Sequence, residues 1–235
     1  MTRASDDASA QKRAAAEAAL AEVRPHTVLG LGTGSTAHAF LLALGARIAA
    51  GELPGVRGVA TSRATERTSR ELGIELIDLP ADGVDLAVDG MDEIDPELDV
   101  IKGLGGALLR EKIVAASAAR FVLIGDAGKR VPRLGTRCPL PVEVLAFGAD
   151  RTQALLSDLG LAPTVRGGPS EPFLSDNGHP LLDCKLPAGF DPWTLAQDLD
   201  ALPGVVGHGL FLGMADAAYL ADGSHVQRID RAEGA

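Results

Sequence analysis

Residues 27–36 read Thr27-Val28-Leu29-Gly30-Leu31-Gly32-Thr33-Gly34-Ser35-Thr36, and a largely apolar segment, residues 37–44, follows them. Residues 27–31 predict a short strand, and residues 37–44 predict a helix. The glycines between them let the backbone turn tightly, and a helix that starts after such a turn offers N–H groups and its positive dipole end to an anion. The unit therefore predicts an α/β fold with a candidate phosphate-binding turn. The alternative is a plain glycine-rich turn with a Ser or Thr cap.

Hydroxyl groups from Thr33, Ser35 and Thr36 add hydrogen-bond donors to this turn. Two nucleotide-binding patterns do not match it. The dinucleotide fingerprint would need its third glycine at Ser35, and no Lys-Ser or Lys-Thr pair follows the glycines, as a Walker A loop requires. The turn is therefore a candidate phosphate site outside both patterns.

Strands and helices alternate on both sides of this unit. An alanine-rich helix, residues 10–23, precedes it. The pattern further predicts strands at 56–60, 74–77, 84–88 and 121–124, a helix at 64–72, and a helix that ends near 118. This alternation predicts a Rossmann-like, mostly parallel sheet with helices on both faces, in which ligands bind beyond the C-terminal ends of the strands.

The pattern changes after Thr136 and predicts a smaller, ferredoxin-like βαββαβ lobe. Its predicted elements are a strand at 142–147, a helix at 150–159, two strands flanking the hairpin signal Asp176-Asn177-Gly178, a helix from Asp191-Pro192 to Gly204, and a strand from Val205. The tail from Met214, with a turn at Asp222-Gly223, is expected to rejoin the first sheet as a hairpin. We therefore predict a Rossmann-like catalytic domain, residues 1–136 and 208–235, and a ferredoxin-like small domain, residues 137–207.

Composition excludes several classes of protein. Acidic residues outnumber Lys and Arg by 32 to 22, for a net charge of −10, which argues against a nucleic-acid partner. No apolar run approaches the roughly 20 residues that span a bilayer, and the first ten residues lack the apolar core of a secretory signal. The two cysteines, Cys138 and Cys184, suit a reducing compartment better than a disulfide framework. We expect a soluble, cytoplasmic protein without a membrane partner.

An acidic stretch, Asp89-Gly90-Met91-Asp92-Glu93-Ile94-Asp95, follows the predicted strand 84–88 directly. Carboxylates at the C-terminal end of a strand can hydrogen-bond sugar hydroxyls, move protons or bind a divalent cation. The spacing of a calcium-binding loop is not met. The position at the strand end favours a functional site over the alternative, a solvated acidic turn.

A second glycine-rich loop, Lys102-Gly103-Leu104-Gly105-Gly106, precedes the predicted helix that ends near 118. A lysine followed by glycines can bring an ammonium group and several N–H groups to one anionic oxygen, as stabilisation of an enediolate requires. A surface lysine beside a run of loop glycines is an equally weighted alternative.

Glu111 lies within an apolar face of that helix. Its neighbours three and four residues away are all apolar, namely Ala107, Leu108, Val114 and Ala115. Burial of a carboxylate there is costly unless it has a purpose or a partner, and burial would raise its pKa toward the range of a general base. The alternative is a glutamate at the edge of the stripe, paired to a nearby cation.

Metal and nucleophile motifs are missing from the sequence. The five histidines are scattered, and neither a His-Glu-x-x-His pattern nor a Cys/His cluster occurs. A Gly-x-Ser-x-Gly elbow is also missing, since Gly34 directly precedes Ser35. We therefore expect neither a metal nor a cofactor.

Taken together, these segments resemble the A-type ribose-5-phosphate isomerases. The resemblance runs from about Lys12 to Leu212, nearly the whole chain, with the motifs in the family's order. The motifs that carry it are Gly32-Thr33-Gly34-Ser35-Thr36, Asp89-Gly90-Met91-Asp92-Glu93, Lys102-Gly103-Leu104-Gly105-Gly106-Ala107, Arg110-Glu111-Lys112-Ile113, Lys129 before Val131, and Pro139-Leu140-Pro141-Val142-Glu143-Val144.

The resemblance implies an aldose–ketose isomerase that interconverts D-ribose 5-phosphate and D-ribulose 5-phosphate through an enediolate, in the non-oxidative pentose phosphate pathway. It implies that Glu111 is the catalytic base, that Lys102 stabilises the developing oxyanion, and that the acids Asp89 and Asp92 contact the sugar and take part in ring opening. The substrate-binding residues that it implies are Lys12, Thr33, Gly34, Ser35, Thr36, Asp89, Gly90, Met91, Asp92, Lys102, Gly103, Leu104, Gly105 and Lys129. A homodimer without a cofactor is the assembly it favours.

The sequence departs from the family pattern at three positions. Met91 stands where alanine is usual, Leu104 interrupts a run that is usually glycine, and Gly128 stands where serine is usual. Met91 and Leu104 add bulk beside the expected sugar.

Two other functions stay open. A related fold serves sugar-phosphate deaminases and acyl-CoA transferases, but the Lys-Gly and Arg-Glu-Lys segments favour the isomerase. A sugar-phosphate sensor would bind without turnover; such a regulator normally carries a DNA-binding segment, for which this acidic chain leaves no room.

Overall fold

The structure, a computed structural model, describes residues 3–232; residues 1–2 and 233–235, which the predicted first domain includes, lie outside the described residues. The α-helices are α1 (Arg3–Leu20), α2 (Ser35–Ala49), α3 (Arg63–Glu71), α4 (Leu108–Ala116), α5 (Ala149–Asp158) and α6 (Pro192–Ala201). The strands are β1 (Val28–Leu31), β2 (Arg57–Ala60), β3 (Glu75–Leu76), β4 (Leu86–Asp89), β5 (Glu93–Ile94), β6 (Val100–Ile101), β7 (Phe121–Asp126), β8 (Leu140–Val144), β9 (Ala162–Val165), β10 (Leu181–Lys185), β11 (Val205–His208), β12 (Leu210–Phe211), β13 (Ala217–Asp222) and β14 (His225–Asp230). A short 3₁₀ helix, Ala127–Lys129, follows β7.

Seven strands form one sheet in the order β14-β13-β7-β4-β1-β2-β3. Neighbouring strands pair in parallel, except that β13 and β14 form an antiparallel hairpin. The predicted parallel sheet is confirmed, and so is the predicted return of the tail to it as a hairpin. The central strands β4 and β7 are buried almost throughout, as their continuous apolar runs indicate for a sheet covered on both faces.

Helices cover both faces of this sheet, as predicted. Leu29 and Leu31 of β1 lie in one core cluster with residues of α1 and α2, including Phe40. Successive side chains of a strand point to opposite faces, so position 30 faces the other side. There a Cβ on Gly30 would lie 2.5 Å from Cγ1 of Val114 in α4. Glycine at this position therefore lets α4 approach the sheet closely.

A four-stranded antiparallel sheet has the order β11-β8-β10-β9 and forms, with α5 and α6, the predicted βαββαβ arrangement. Helix α6 begins as predicted, because the Asp191 side chain caps it by accepting from the Thr194 N–H at 2.8 Å. The predicted turn is present, with the Gly178 N–H donating to the Ser175 carbonyl. Regular pairing of β9 and β10, however, reaches only to Val165 and Leu182, so the connection between the strands is longer than a tight hairpin.

Three short strands that the sequence pattern did not reveal form a third sheet in the order β12-β6-β5. Each is two residues long, too short to show the alternation that identifies a strand. Residue contacts divide the chain into a first unit, Met1–Met91, Arg110–Lys129 and Gly213–Ala235, and a second unit, Asp92–Leu109 and Arg130–Leu212. The third sheet belongs to the second unit, which explains why this division differs from the predicted domain boundaries. Those boundaries stay a prediction.

Candidate active site

The predicted phosphate-binding turn lies at the C-terminal end of β1, where α2 begins. Gly34 occupies the N-cap position of α2 with a φ of 104°, a backbone conformation that favours glycine. No side chain caps the helix, and its first turn contains no acidic residue. The N–H groups of a first helical turn have no intrahelical acceptors and carry the positive end of the dipole. The turn therefore keeps the donors that a phosphate group needs.

Lys12 of α1 lies beside this turn. Its Nζ donates to Oγ of Ser35 at 2.8 Å, although the two residues are 23 positions apart in the sequence. Helices α1 and α2 pack against each other, which brings the lysine to the start of α2. An ammonium group at an uncapped helix N-terminus adds to the attraction for an anion. The contact of Lys12 with a phosphate stays a prediction.

The turn is also held by a network of hydroxyl groups, which the sequence analysis did not predict. Oγ1 of Thr33 lies 2.8 Å from Oγ1 of Thr61, 2.8 Å from Oγ of Ser62 and 3.2 Å from Oγ1 of Thr65. Thr65 also donates to the Gly32 carbonyl at 2.8 Å. A hydroxyl has one proton to donate. That of Thr33 goes to Ser62, that of Ser62 to Thr65 and that of Thr65 to the Gly32 carbonyl, so the hydroxyls form a chain that ends on the turn itself. The available signal was the Ser-x-x-Thr pattern after β2, where Ser62 caps α3 by accepting from the Thr65 N–H.

Asp89 links the acidic stretch to the same turn. It is buried at the end of β4, and because β4 pairs with β1 in parallel, the two strand ends are adjacent. Its Oδ1 accepts from the Thr33 N–H at 3.0 Å and from the Gly90 N–H at 2.7 Å. A Cβ on Gly32 would lie 2.2 Å from that oxygen and 2.6 Å from the Asp89 Cα. The glycine is therefore required for the carboxylate to approach.

Other residues that are predicted to bind the substrate lie near the Asp89 carboxylate or close to it in the sequence. A Cβ on Gly90 would lie 3.8 Å from Cβ of Thr36, a buried residue of the first turn of α2. Met91 is buried. A Cβ built on Gly125 would lie 2.7 Å from Sδ of Met91 and 3.6 Å from Cγ of Lys129. The bulk of Met91 is thus accommodated against a glycine. Five of the predicted segments belong to the first unit, namely Lys12, the turn 33–36, Asp89 to Met91, Glu111 and Lys129.

Glu111 lies on α4 with 5% of its surface exposed. Its apolar neighbours three and four residues away are buried with it: Ala107, Leu108, Val114 and Ala115. The predicted position of the carboxylate in a buried apolar stripe is therefore confirmed. A carboxylate withdrawn from water in this way is a suitable group for transferring a proton. Its role as the catalytic base stays a prediction.

The second unit contains the predicted lysine–glycine loop and Asp92. Lys102 is only 3% exposed, and its Nζ lies 5.6 Å from the centroid of the Phe211 ring. Oδ2 of Asp92 accepts from the Leu104 N–H at 3.0 Å, so this acid supports the loop. Gly103 and Gly106 have φ angles of 106° and 84°, which explains the need for glycine at both positions. The Leu104 side chain is exposed.

Glu93, within the acidic stretch, has a structural role. Its Oε1 accepts from the N–H groups of Arg137 and of Cys138, and its Oε2 accepts from that of Gly135 at 2.6 Å. The side chain is fully buried. A buried carboxylate needs hydrogen-bond donors, and this one finds them in a loop more than 40 residues along the chain. Not every acid of the stretch is therefore available to a substrate.

Within residues 3–232, no group of three or more His, Cys, Asp or Glu side chains is arranged to hold a metal ion. None of the helices described there is long and apolar enough to cross a membrane. Both cysteines are free thiols.

Comparison with known proteins agrees with this geometry. The family model for ribose 5-phosphate isomerase A (phosphoriboisomerase A) matches residues 57–225. The chain belongs to this family. Ribose-5-phosphate isomerase A of Roseiflexus sp. (strain RS-1) is 53% identical over 217 residues, 92% of this chain and 93% of the relative. The enzyme of the same name from Deinococcus radiodurans is 44% identical over 225 residues, 96% of this chain and the whole of the relative.

Solved structures of family members share the fold. A D-ribose-5-phosphate isomerase in complex with phospho-erythronic acid superposes with a TM-score of 0.90 at 34% identity, covering 94% of this chain and 98% of that structure. The ribose 5-phosphate isomerase of Plasmodium falciparum gives a TM-score of 0.89 at 34% identity with the same coverage. Membership of the ribose 5-phosphate isomerase A family confirms the resemblance seen in the motifs, and with it the prediction of an isomerase. The relatives align beyond the region of the family model, since each covers more than nine-tenths of the chain.

Proposed function

We propose that this chain interconverts D-ribose 5-phosphate and D-ribulose 5-phosphate in the non-oxidative pentose phosphate pathway, with Glu111 as the base. The observation that carries the proposal is the buried Glu111 carboxylate, which shares the first unit with an uncapped helix start and a lysine suited to a phosphate group. The groups at the start of α2 can then hold the phosphate at the unreactive end of the substrate while Glu111 moves a proton. Family membership supports the same reaction.

The 5-phosphate is assigned to the start of α2. The N–H groups of its first turn, the hydroxyls of Ser35 and Thr36, and the ammonium group of Lys12 supply donors and positive charge. Thr33 and Gly34 shape the turn. The proposal is supported by a relative that was solved with phospho-erythronic acid, a phosphorylated sugar acid.

The chemistry is a proton transfer between adjacent carbons. After the furanose opens, Glu111 removes the proton from C2 of the aldose, and the C–H electron pair forms the C1–C2 double bond of an enediolate while the negative charge moves to O1. Glu111 returns the proton to C1, a proton moves from O2 to O1, and the carbonyl re-forms at C2. Each proton that leaves one atom of the substrate is returned to another, and C1 is reduced while C2 is oxidised, so no electrons leave the substrate and the proposed step calls for neither a metal nor a cofactor.

The remaining predicted residues receive supporting roles in this proposal. Lys102 stabilises the charge of the enediolate, with the N–H groups of Gly103 and Gly105, while Leu104 keeps its N–H bonded to Asp92. Asp89 and Asp92 assist ring opening and contact the sugar hydroxyls, and Lys129 contributes a further contact with the substrate. The burial of Lys102 supports its role, because a charge withdrawn from water acts more strongly on a nearby oxyanion.

The direct test measures ribulose 5-phosphate formed from ribose 5-phosphate by the wild-type chain and by Glu111→Gln, with and without a chelator. We expect kcat to fall about 1,000-fold in the variant, the scale of a lost general base, and no effect of the chelator. Glu143→Gln is the matched control, since Glu143 is also buried but lies in the small lobe. Near wild-type turnover by Glu111→Gln contradicts the assignment of the base, and a wild-type chain without isomerase activity contradicts the function.

The chain acts as a homodimer in the cytoplasm in this proposal, as the family resemblance and the two free cysteines suggest. Light scattering during size-exclusion chromatography should give about twice the 24.2 kDa of one chain. Fractionation of cells that express the protein tests the compartment.

A further inference from the structure

Arg166, which directly follows β9, holds the lysine–glycine loop by hydrogen bonds to two carbonyl groups of the loop. Its Nη1 donates to the Gly103 carbonyl at 3.1 Å and to the Leu104 carbonyl at 3.0 Å. These contacts join residues 62 and 63 positions apart, all within the second unit. One guanidinium nitrogen therefore fixes two consecutive peptide groups of the loop that contains Lys102.

The Arg166 guanidinium group is itself held by Asp183 and Phe173. Its Nε donates to Oδ2 of Asp183 at 3.0 Å and its Nη2 to Oδ1 of the same carboxylate at 2.5 Å, a bidentate pair. Its Cζ lies 5.7 Å from the centroid of the Phe173 ring. The arginine side chain is 15% exposed. Every nitrogen of its planar fork thus has a partner in a fixed direction, which a lysine at this position would not provide.

The loop is held from its other side as well. The Leu104 N–H donates to Asp92, so this residue is bound through both its N–H and its carbonyl. The Phe173 ring that contacts Arg166 also packs on Gly106, where a Cβ would lie 2.6 Å from the ring edge. A loop with three glycines would otherwise sample many conformations, because glycine restricts the backbone least. Arg166, Asp92 and Phe173 each restrain this loop.

We infer that Arg166, supported by Asp183, is a positioning residue for the lysine–glycine loop. It does not contact the reacting atoms. It orients the peptide groups of the loop and the backbone from which the Lys102 side chain extends. This role rests on the proposed function of the loop in stabilising the enediolate. Stabilisation of that kind depends on donors fixed before the charge develops, and a displacement of about 1 Å can cost about 100-fold in rate.

The test compares Arg166→Met and Arg166→Lys with Arg120→Met as the matched control. Arg120 also donates through two nitrogens to one carboxylate, that of Glu22, but it lies in the first unit. We expect Arg166→Met to lower kcat for ribose 5-phosphate about 10- to 100-fold, the scale of a displacement of up to 1 Å. Arg166→Lys, which can reach a single acceptor, should recover part of the loss. Arg120→Met should keep kcat within about twofold of wild type, because it changes stability alone.

Two further measurements separate positioning from loss of fold. The inhibition constant of inorganic phosphate should stay within about twofold of wild type in Arg166→Met, because the start of α2 is untouched. If Arg166→Met does not fold, Asp183→Asn decides, since it removes the charge that pairs with the guanidinium group and leaves one of the two acceptors. A kcat at least about fivefold below wild type at an unchanged melting temperature supports the role. A wild-type kcat in whichever variant folds overturns it. The proposed function is tested separately by wild-type turnover and by Glu111→Gln, so the two can fail independently.

Discussion

Replacing Thr65 by valine should loosen the turn that precedes α2 without replacing any residue that is predicted to bind the substrate. The side chain is 4% exposed and keeps its volume in the variant. The loss of its hydroxyl removes the donor to the Gly32 carbonyl at 2.8 Å, the acceptor for Ser62 at 3.0 Å and the contact with Thr33 at 3.2 Å. A buried carbonyl without its partner costs about 1–3 kcal/mol and a lost neutral hydrogen bond about 1 kcal/mol, so we expect the free energy of unfolding to fall by about 2–4 kcal/mol.

The activity should fall as well, because the Gly32 carbonyl and the Thr33 hydroxyl lie inside the turn assigned to the phosphate. We expect kcat/KM for ribose 5-phosphate to fall about tenfold, corresponding to a displacement well below 1 Å. The loss should appear mainly as weaker binding of phosphate-containing ligands. Urea titration gives the stability, and initial rates measured well below the melting temperature give the activity of the folded protein.

Thr152→Val is the matched control. Thr152 is equally buried, at 3% exposed, and its hydroxyl makes one longer bond, 3.3 Å, to the Gly148 carbonyl. That carbonyl also accepts from the Thr152 N–H at 3.0 Å, so the control should lose about 1 kcal/mol or less and keep its activity. If Thr65→Val is destabilised but retains kcat/KM within about twofold of wild type, the hydroxyl network does not shape the turn and the reasoning fails.

Two other outcomes follow from the structure. Gly32→Ala should lose about 100-fold in kcat/KM, because a Cβ 2.6 Å from the Asp89 Cα forces a shift approaching 1 Å; a crystal structure of the variant with Asp89 unmoved would contradict this. Burial, with the neighbouring carboxylates of Asp99 and Glu97, raises the pKa of Asp95 to about 6. The native state then holds a proton that the unfolded chain has lost between about pH 4 and 6, so stability should fall as the pH rises through that window and stay level above it. Asp95→Asn is the control, because it keeps the oxygen that accepts hydrogen bonds from the N–H groups of Glu97 and Asp99. Urea titrations should show the fall in stability only in wild type, by about 1 kcal/mol for a half-exposed group. Equal pH profiles for the two proteins would contradict the raised pKa of Asp95.

Much of the first unit could be predicted because its evidence is local. The apolar run of β1, the glycines after it and the periodic face of α2 are contiguous, and a strand followed by such a turn and a helix has few alternatives. The burial of Glu111 was likewise readable from the spacing of four apolar neighbours on one helix. The small lobe was recognisable from its cap at Asp191 and the order of its elements.

Other features depended on contacts between distant segments. Parallel pairing places Leu31 beside Ala60, so the hydroxyls after β2 meet Thr33 only once the strand order is set. Arg166 reaches carbonyls more than 60 residues away, and Glu93 binds N–H groups more than 40 residues away. The strands of the third sheet, two residues each, leave no pattern at all.

The class of fold, the glycine-rich turn before α2 and the buried carboxylate on α4 could be predicted from the sequence, because each rests on residues within one or two turns of one another. The polar groups that hold the two glycine-rich loops in place could be identified only in the folded chain. The physical reason is that a hydrogen bond needs its partner within about 3 Å, and the partner's identity is set by sheet order and strand register rather than by local sequence.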